Sequence, residues 1–418
     1  MNSDRAVLRS ILGLCLAASF FFQAHAQSTP DQPNPVLPHK PLVLLVSIDG
    51  FRADYLDRGF TPQLSKLAAS GTHADRLTPV FPSITFPNHY ALVTGLYPDH
   101  NGIVNNTMVD PQIPAQEFNL SNRAAIENPL WWQEGTPIWE TVVRSGGIAS
   151  TLFWPGSEAK IHGLQPQDWL TYEGGMSPSK RVKTLLSWLN REDSKRADFA
   201  TLYFSQVDSK GHGFGPDSDE VNAALLDVDQ AIGELLEGLT QLHLKEMTTL
   251  VIVSDHGMMT VPSSHGLDLS RALKSHASAQ LLWSGPIAGI EVKTAEEKAL
   301  LADLILQDHL QCWAKRNMPE RFHFGQHRRI PSVLCLSEPG WSVEGNSHGY
   351  KSVGQHGFDN AISEMQGLFI VVGPRIKVQN IPQARSIDVY NLLAHLIDVP
   401  AQPNDGADGL FDLVRTRP

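Results

Sequence analysis

The feature that most constrains this 418-residue chain is a series of short, uninterrupted apolar runs. Pro41-Leu-Val-Leu-Leu-Val-Ser47 is the first, and residues 148–153, 199–204, 249–253 and 368–372 repeat its character. A strand with one wet face alternates apolar and polar residues, whereas a continuous run marks a strand buried on both faces. Helical patterns lie between these runs. Thr61 and Pro62 read as an N-cap followed by proline at the first helical position, and Gly71 closes that helix. Residues 179–190 and 221–239 carry apolar side chains at helical spacing, with Val221, Leu225, Val228, Ile232, Leu235 and Leu239 on one stripe that packs on a sheet. The pattern predicts an α/β fold with a largely parallel central sheet and helices on both faces. Residues 281–339 depart from it: Pro-Ile-Ala-Gly-Ile-Glu-Val292, a predicted helix from about Ala295 to Trp313, then loop and strand rich in His and Arg. They read as a small insert in a domain spanning 41–418.

The first residues belong to no such pattern. Arg5 and Arg9 precede a 12-residue apolar run, and Ala24-His25-Ala26 forms a small-residue cleavage site. Residues 1–26 therefore read as a secretory signal peptide, and 27–40, rich in Pro and Gln, as a polar leader. The run is short for a membrane span, and Leu14 before Cys15 argues against a lipoprotein site. The expectation is secretion across the inner membrane, into the periplasm where the host has an outer membrane, with no transmembrane anchor after signal cleavage. Removing Asp4, Arg5 and Arg9 takes the formal charge from −11 to −12. That balance excludes broad or stable nucleic-acid binding and invites divalent cations. In an oxidising compartment Cys312 and Cys335 favour one disulfide over two buried thiols.

Three apolar runs lead into acidic and histidine side chains: Ser47-Ile-Asp49-Gly50, Gln206-Val-Asp208 with His212-Gly213, and Ser254-Asp255-His256-Gly257. Sites in open α/β sheets form at the carboxyl ends of strands. A lone Asp or His there is more often a cap or a satisfied core residue; three such ends make a constellation. Asp and His are zinc ligands, and two adjacent metals can clamp the attacking and leaving oxygens of a phosphoryl transfer. The glycines after Asp49, His212 and His256 are expected to form tight turns that aim these side chains inward. Thr85 stands just before a helix that has Pro87 in its first turn and runs to about Thr94. Free N–H groups and the helix dipole there favour an anion, although the segment alone reads more simply as an N-cap.

Longer motifs decide between these readings. Val46-Ser-Ile-Asp-Gly-Phe-Arg52, Pro82 to Gly95, Thr94-Gly-Leu-Tyr-Pro-Asp-His-Asn-Gly-Ile103, Asn105-Asn-Thr-Met108, Phe153-Trp-Pro-Gly-Ser157, Asp208 with His212, Ser254-Asp-His-Gly-Met258 and His356-Gly-Phe-Asp-Asn360 resemble the nucleotide pyrophosphatase/phosphodiesterase (NPP) family of the alkaline-phosphatase superfamily. The resemblance runs from about residue 41 to 415. It implies an alkaline-phosphatase-like fold and two Zn2+ per chain. Asp49, Asp255, His256 and the Thr85 oxygen match one zinc site; Asp208, His212 and His356 match the other. Thr85 matches the nucleophile, and Asn106 the amide that holds a phosphoryl oxygen together with a backbone N–H near Thr85. His348 offers a second His-Gly-aromatic sequence but lacks the following Asp-Asn that marks His356, so it is set aside. His73, His89, His100 and His265 are read as structural. Phe86 follows the nucleophile, and Tyr172 matches the position where the family sets an aromatic ring against the nucleobase; Tyr203 stands five residues before Asp208. Stacked rings contribute about 1–3 kcal/mol per base and read no particular base. The alternative is that all three are core aromatics.

The resemblance thus implies hydrolysis of small nucleotide pyrophosphates or phosphodiesters through a covalent phospho-threonine, releasing nucleoside monophosphates. Lysophospholipid or choline phosphodiesters are the alternative substrates within the family. A phosphomonoesterase would want an arginine beside the nucleophile, and none adjoins Thr85. A zinc-binding scaffold without catalysis would be expected to have lost a ligand or the nucleophile. The sequence leaves the oligomeric state open.

Overall fold

The computed structural model describes residues 40–114, 116–345 and 352–416. The signal peptide, the leader up to residue 39 and His348 lie outside the described residues. Strand Leu42–Ile48 is buried at every position. Leu42, Leu44, Val46 and Ile48 enter one hydrophobic cluster, and Val43 and Leu45 enter another, because successive side chains leave a strand on opposite faces. The strand runs parallel to Phe199–Phe204 on one side and Thr248–Val253 on the other. Across the sheet the order is 379–381, 72–78, 367–372, 248–253, 42–48, 199–204, 149–152 and 168–169, with Ala384–Arg385 also paired to 72–78. Gly367–Val372 is antiparallel to both neighbours, so the sheet is mixed. Its apolar run reports burial on both faces, which does not depend on strand direction. Strand Thr72–Thr78, with Asp75 and Arg76 exposed, carried no apolar run to announce it.

Helices Pro62–Ser70, Pro178–Leu189 and Asp219–Gln241 cover one face. All six stripe residues from Val221 to Leu239 are buried, each worth about 1.5–3 kcal/mol relative to exposure. The cap of helix Pro62–Ser70 differs from expectation. The Thr61 side chain makes no cap bond; Asp229 on the long helix reaches across and accepts from the Gln63 and Leu64 N–H groups at 3.0 and 2.9 Å. A carboxylate satisfies two orphan helix donors at once. Helices Thr85–Thr94, Ile138–Arg144 and Val389–Ile397 cover the other face, around Tyr90, Trp131, Trp132, Trp139 and Tyr390.

Strands Gln280–Trp283, Ile287–Glu291, Leu310–Ala314 and Val333–Ser337 form a separate antiparallel sheet with helix Thr294–Leu304 and a core of its own. The predicted helix to Trp313 therefore stops at Leu304. Leu310 and Trp313 fit a helical stripe, but the chain turns at His309, φ 61°, and Cys312 pairs in register with Cys335 on the adjacent strand. A disulfide joins the two cysteines. The segment before the last of these strands is fastened to the main fold by ions. Buried Arg329 donates to Asp110 at 2.5 Å and to the Gly102 and Trp131 carbonyls. Arg328 donates to Asp110 and Glu134, and His327 contacts Glu134 at 2.9 Å.

Candidate active site

Three neighbouring parallel strands deliver the site. Asp49 directly follows Leu42–Ile48, and Asp255 lies two residues beyond Thr248–Val253. Asp208 and His212 sit on helix Gln206–Phe214, which begins just after Phe199–Phe204; their i,i+4 spacing puts both on one side. Gly50 turns the chain at φ 67°, and a Cβ there would lie 2.9 Å from the Asp208 Cα. The other two glycines act differently from expectation. Gly213 is an ordinary helical residue. Gly257 provides clearance, because a Cβ would fall 2.1 Å from the Glu364 carbonyl oxygen.

The histidine tautomers follow from their backbone partners. His256, His212 and His356 place Nδ1 at 2.9, 2.8 and 2.9 Å from the carbonyls of Gly257, Gly354 and Ser83. A carbonyl only accepts, so each Nδ1 carries a proton, and in the neutral ring, the form that binds a cation, each Nε2 presents a lone pair. Those lone pairs converge. His212 and His356 bring their Nε2 atoms to 3.1 Å, with Asp208 Oδ1 at 3.4 and 3.7 Å from them. His256 Nε2 lies 3.0 Å from Asp255 Oδ2, 3.5 Å from Asp49 Oδ1 and 3.2 Å from the Thr85 hydroxyl. Asp49 Oδ1, Asp208 Oδ1 and Asp255 Oδ2 are buried without a hydrogen-bond partner. Burial, reinforced by Asp255 and Asp208, pushes the Asp49 carboxyl well above the ordinary carboxylate range; burial and the flanking imidazoles push His356 well down. Orphaned carboxylate oxygens facing imidazole lone pairs are costly as they stand and are what a divalent cation requires.

Ligand atoms cluster in two groups, Asp208–His256–His356 and Asp49–His89–Asp255. His89 is no donor to a cation. Its Nδ1 bonds the Thr85 carbonyl at 2.9 Å and its Nε2 the Ser47 hydroxyl at 2.8 Å, so both nitrogens are committed. The His256 ring stacks on His356, centroids 3.6 Å apart, while its Nε2 faces Asp49, Asp255 and Thr85. It is the link between the two groups. His73, His100 and His265 bond the Ala68 carbonyl, Asp405 and the Gly340 carbonyl.

Thr85 is the first residue of its helix and Ile84 the N-cap, so the Thr85 hydroxyl is not spent on capping. The Phe86 N–H donates to Asn106 Oδ1 at 2.9 Å; with that oxygen committed, the amide keeps its NH2 as a donor. The half-buried Phe86 ring packs on Phe118 and Trp132. Tyr172 is 42% exposed, bonds Ser205 Oγ at 3.0 Å and meets Phe153 edge-on. Tyr203 departs from the base-stacking expectation. It is 8% exposed and donates its hydroxyl to Asp49 Oδ2 at 2.5 Å, so it holds a carboxylate and offers no open face. Beneath both tyrosines lies buried Arg181, which donates to the Tyr203 and Met176 carbonyls. Sequence reasoning missed Ser47, Arg181 and the roles of His89 and Tyr203, because nothing local distinguishes a buried network residue from core. A cleft of about 1170 Å³ opens from Asn106, Asp208, His212 and His356 towards Lys274 and Pro286, and among the described residues no arginine lines it.

A family model described as Type I phosphodiesterase / nucleotide pyrophosphatase matches residues 43–359. The chain belongs to this family. It is 35% identical over 398 residues to an uncharacterized pyrophosphatase/phosphodiesterase of Schizosaccharomyces pombe, covering 90% of this chain and 81% of that protein. Human ectonucleotide pyrophosphatase/phosphodiesterase family member 1 is 35% identical over 90% of this chain, which spans 42% of that longer protein. The solved structure of murine ectonucleotide pyrophosphatase/phosphodiesterase 5 superposes with a TM-score of 0.84 at 34% identity, over 89% of this chain and 100% of that one. A second structure of the murine protein, inactivated by a threonine-to-alanine substitution and in complex with AMP, gives the same TM-score at 33% identity. This type I phosphodiesterase therefore has the alkaline-phosphatase-like fold and is a nucleotide pyrophosphatase/phosphodiesterase hydrolase. Among the described residues, no helix is long and apolar enough to cross a membrane.

Proposed function

We propose that the enzyme hydrolyses nucleotide pyrophosphate and phosphodiester bonds through a covalent phospho-threonine at Thr85, using two zinc ions, and releases nucleoside monophosphates. The observation that carries this reading is the convergence of three carboxylate oxygens without hydrogen bonds and three imidazole Nε2 atoms around the Thr85 hydroxyl at a helix N-terminus. Asp49, Asp255 and His256, with Thr85, would hold one zinc; Asp208, His212 and His356 would hold the other. When bound, such ions polarise phosphoryl oxygens and lower the pKa of an ionising oxygen. The chain's own groups do the rest. Thr85 Oγ gives up its proton and attacks phosphorus, and the leaving oxygen departs on the opposite side and takes up a proton. Water then attacks the same phosphorus, breaking the Thr85–phosphorus bond, releasing the nucleoside monophosphate and restoring the threonine hydroxyl. The Asn106 NH2 is a preorganised donor to the phosphoryl oxygen, a type of contact worth about 3 kcal/mol in comparable sites. Tyr203 keeps Asp49 aimed.

Phe86 and Tyr172 would bind the nucleobase. Support comes from the half-exposed Tyr172 ring and from the AMP bound by the murine relative. A diester is preferred over a monoester, because Lys274 is the only lysine or arginine among the described cleft residues and the extra monoester charge has no guanidinium to meet it. Residues 1–26 would export the chain to the periplasm of a host with an outer membrane. The test compares a nitrophenyl thymidine phosphodiester, a nucleoside triphosphate and a nitrophenyl phosphomonoester, before and after chelation and zinc addition. The expected result is rapid turnover of the first two, slow turnover of the third, and zinc-restored activity with close to two zinc per chain. A preference for the monoester or for lysophospholipid contradicts the nucleotide reading, and full activity in metal-free protein contradicts the site.

A further inference from the structure

His89 takes no part in the chemistry described above, yet it touches three of the segments that do. It lies one turn beyond Thr85 on the same helix and is fully buried. Its Nδ1 is 2.9 Å from the Thr85 carbonyl and 3.3 Å from Asp255 Oδ2, the oxygen that has no hydrogen bond of its own. Both neighbours only accept, so Nδ1 carries a proton; in the neutral ring Nε2 accepts from Ser47 Oγ–H at 2.8 Å. Trp154 and Tyr203 meet the ring edge-on at 5.0 and 5.2 Å, and Trp154 Nε1 donates to the His89 carbonyl. A tautomer change would set an Nδ1 lone pair against the Thr85 carbonyl and Asp255, and rotation of the ring would break contacts on both sides.

The identity of those partners matters more than their number. Ser47 is two residues before Asp49 on the central strand, Thr85 opens the helix, and Asp255 follows the neighbouring strand. A histidine kept only for packing needs two polar partners of any kind. Here they are the backbone of the nucleophile, the approach to one carboxylate and the free oxygen of another. We infer that His89 is a positioning residue: through Ser47, Thr85 and Asp255 it fixes where the Thr85 hydroxyl stands relative to the Asp49–Asp255–His256 group. Without it the helix N-terminus can shift while substrate still docks. Misplacing a reacting group by about 1 Å can lower turnover about 100-fold.

This inference rests on Thr85 as the nucleophile, and the experiment separates the two. Steady-state kinetics on a nitrophenyl thymidine phosphodiester, zinc content and melting temperature are measured for His89→Leu, His89→Asn, Ser47→Ala and Thr85→Ala. An asparagine amide can take the place of Nδ1–H, and leucine cannot. His89→Leu is expected to lower kcat about 100-fold with KM and zinc content unchanged, and His89→Asn to recover at least about tenfold of that loss. Ser47→Ala, a small change that keeps the core filled, is expected to lower kcat about tenfold. Equal losses in His89→Leu and His89→Asn, together with lost zinc and a lower melting temperature, would make His89 a packing residue and overturn the inference. Wild-type kcat in His89→Leu, or in Ser47→Ala should the His89 variants not fold, would overturn it too. An active Thr85→Ala removes the nucleophile itself; an inactive Thr85→Ala beside an unimpaired His89→Leu removes only the role of His89.

Discussion

Replacing Tyr203 with Phe separates two roles that the sequence could not distinguish, because it keeps the ring and deletes one hydroxyl. That hydroxyl donates to Asp49 Oδ2 at 2.5 Å, and Asp49 Oδ1 has no hydrogen-bond partner. Both side chains are buried, at 8% and 1% exposure, so solvent does not screen the bond. A hydrogen bond to a charged group is worth about 1.5–3 kcal/mol, which is roughly one to two powers of ten in an equilibrium constant. Outer groups that orient metal ligands independently show losses of about 10–100-fold in metal affinity. The two routes agree, and Tyr203→Phe is expected to weaken binding of one zinc by about 10–100-fold. The assay is activity against free zinc set by a competing chelator, with nucleotide KM measured at saturating zinc. KM is expected to stay near wild type. Unchanged zinc affinity would refute the assigned role, and a raised KM with unchanged zinc affinity would return Tyr203 to the substrate side.

Tyr172→Ala is expected to raise KM for nucleotides about 10–100-fold, the equivalent of one lost stack, and to leave a small diester without a base unaffected; equal impairment of both would make Tyr172 structural. The ion cluster around Arg329 should set an acid limit on stability. Burial alone would raise the Glu134 pKa, but His327 and Arg328 outweigh it and hold it at about 2, below the ordinary 4.5. A depressed folded-state pKa contributes stability that is complete above about pH 4.5 and is lost as pH falls through about 2. Melting temperature against pH should therefore fall less steeply over that window in Glu134→Gln than in the wild type; identical slopes would contradict the assignment.

The sequence announced the parts of the fold that depend on burial and concealed those that depend on partners. Strand Leu42–Ile48 and the stripe from Val221 to Leu239 were legible because burial on two faces or one leaves a periodic record. The direction of Gly367–Val372 was not, since a strand buried on both faces carries the same apolar run whether it is parallel or antiparallel. Strand Thr72–Thr78, with charged residues in its middle, left no such record. Residues 310–313 fit a helical period and a strand period alike, and only the pairing of Cys312 with Cys335 settles them. The site follows the same logic. Asp49, Asp208, His212, Asp255 and His256 stood out because they follow apolar runs, and His356 because of the Asp-Asn after it. Asp229 as a remote cap, Tyr203 as a carboxylate holder and His89 as a three-way tie are long-range relations, and no spacing along the chain encodes them.

The covalent role of Thr85 is open to one direct measurement. The enzyme is mixed with excess substrate, quenched in acid within milliseconds, digested and examined by mass spectrometry. One phosphoryl or nucleotidyl adduct is expected on the peptide containing Thr85, formed as fast as turnover requires. The adduct should be absent in Thr85→Ala, and that variant should retain its zinc and fold but lose activity by orders of magnitude. An adduct on another residue, or near wild-type turnover in Thr85→Ala, would contradict that covalent role.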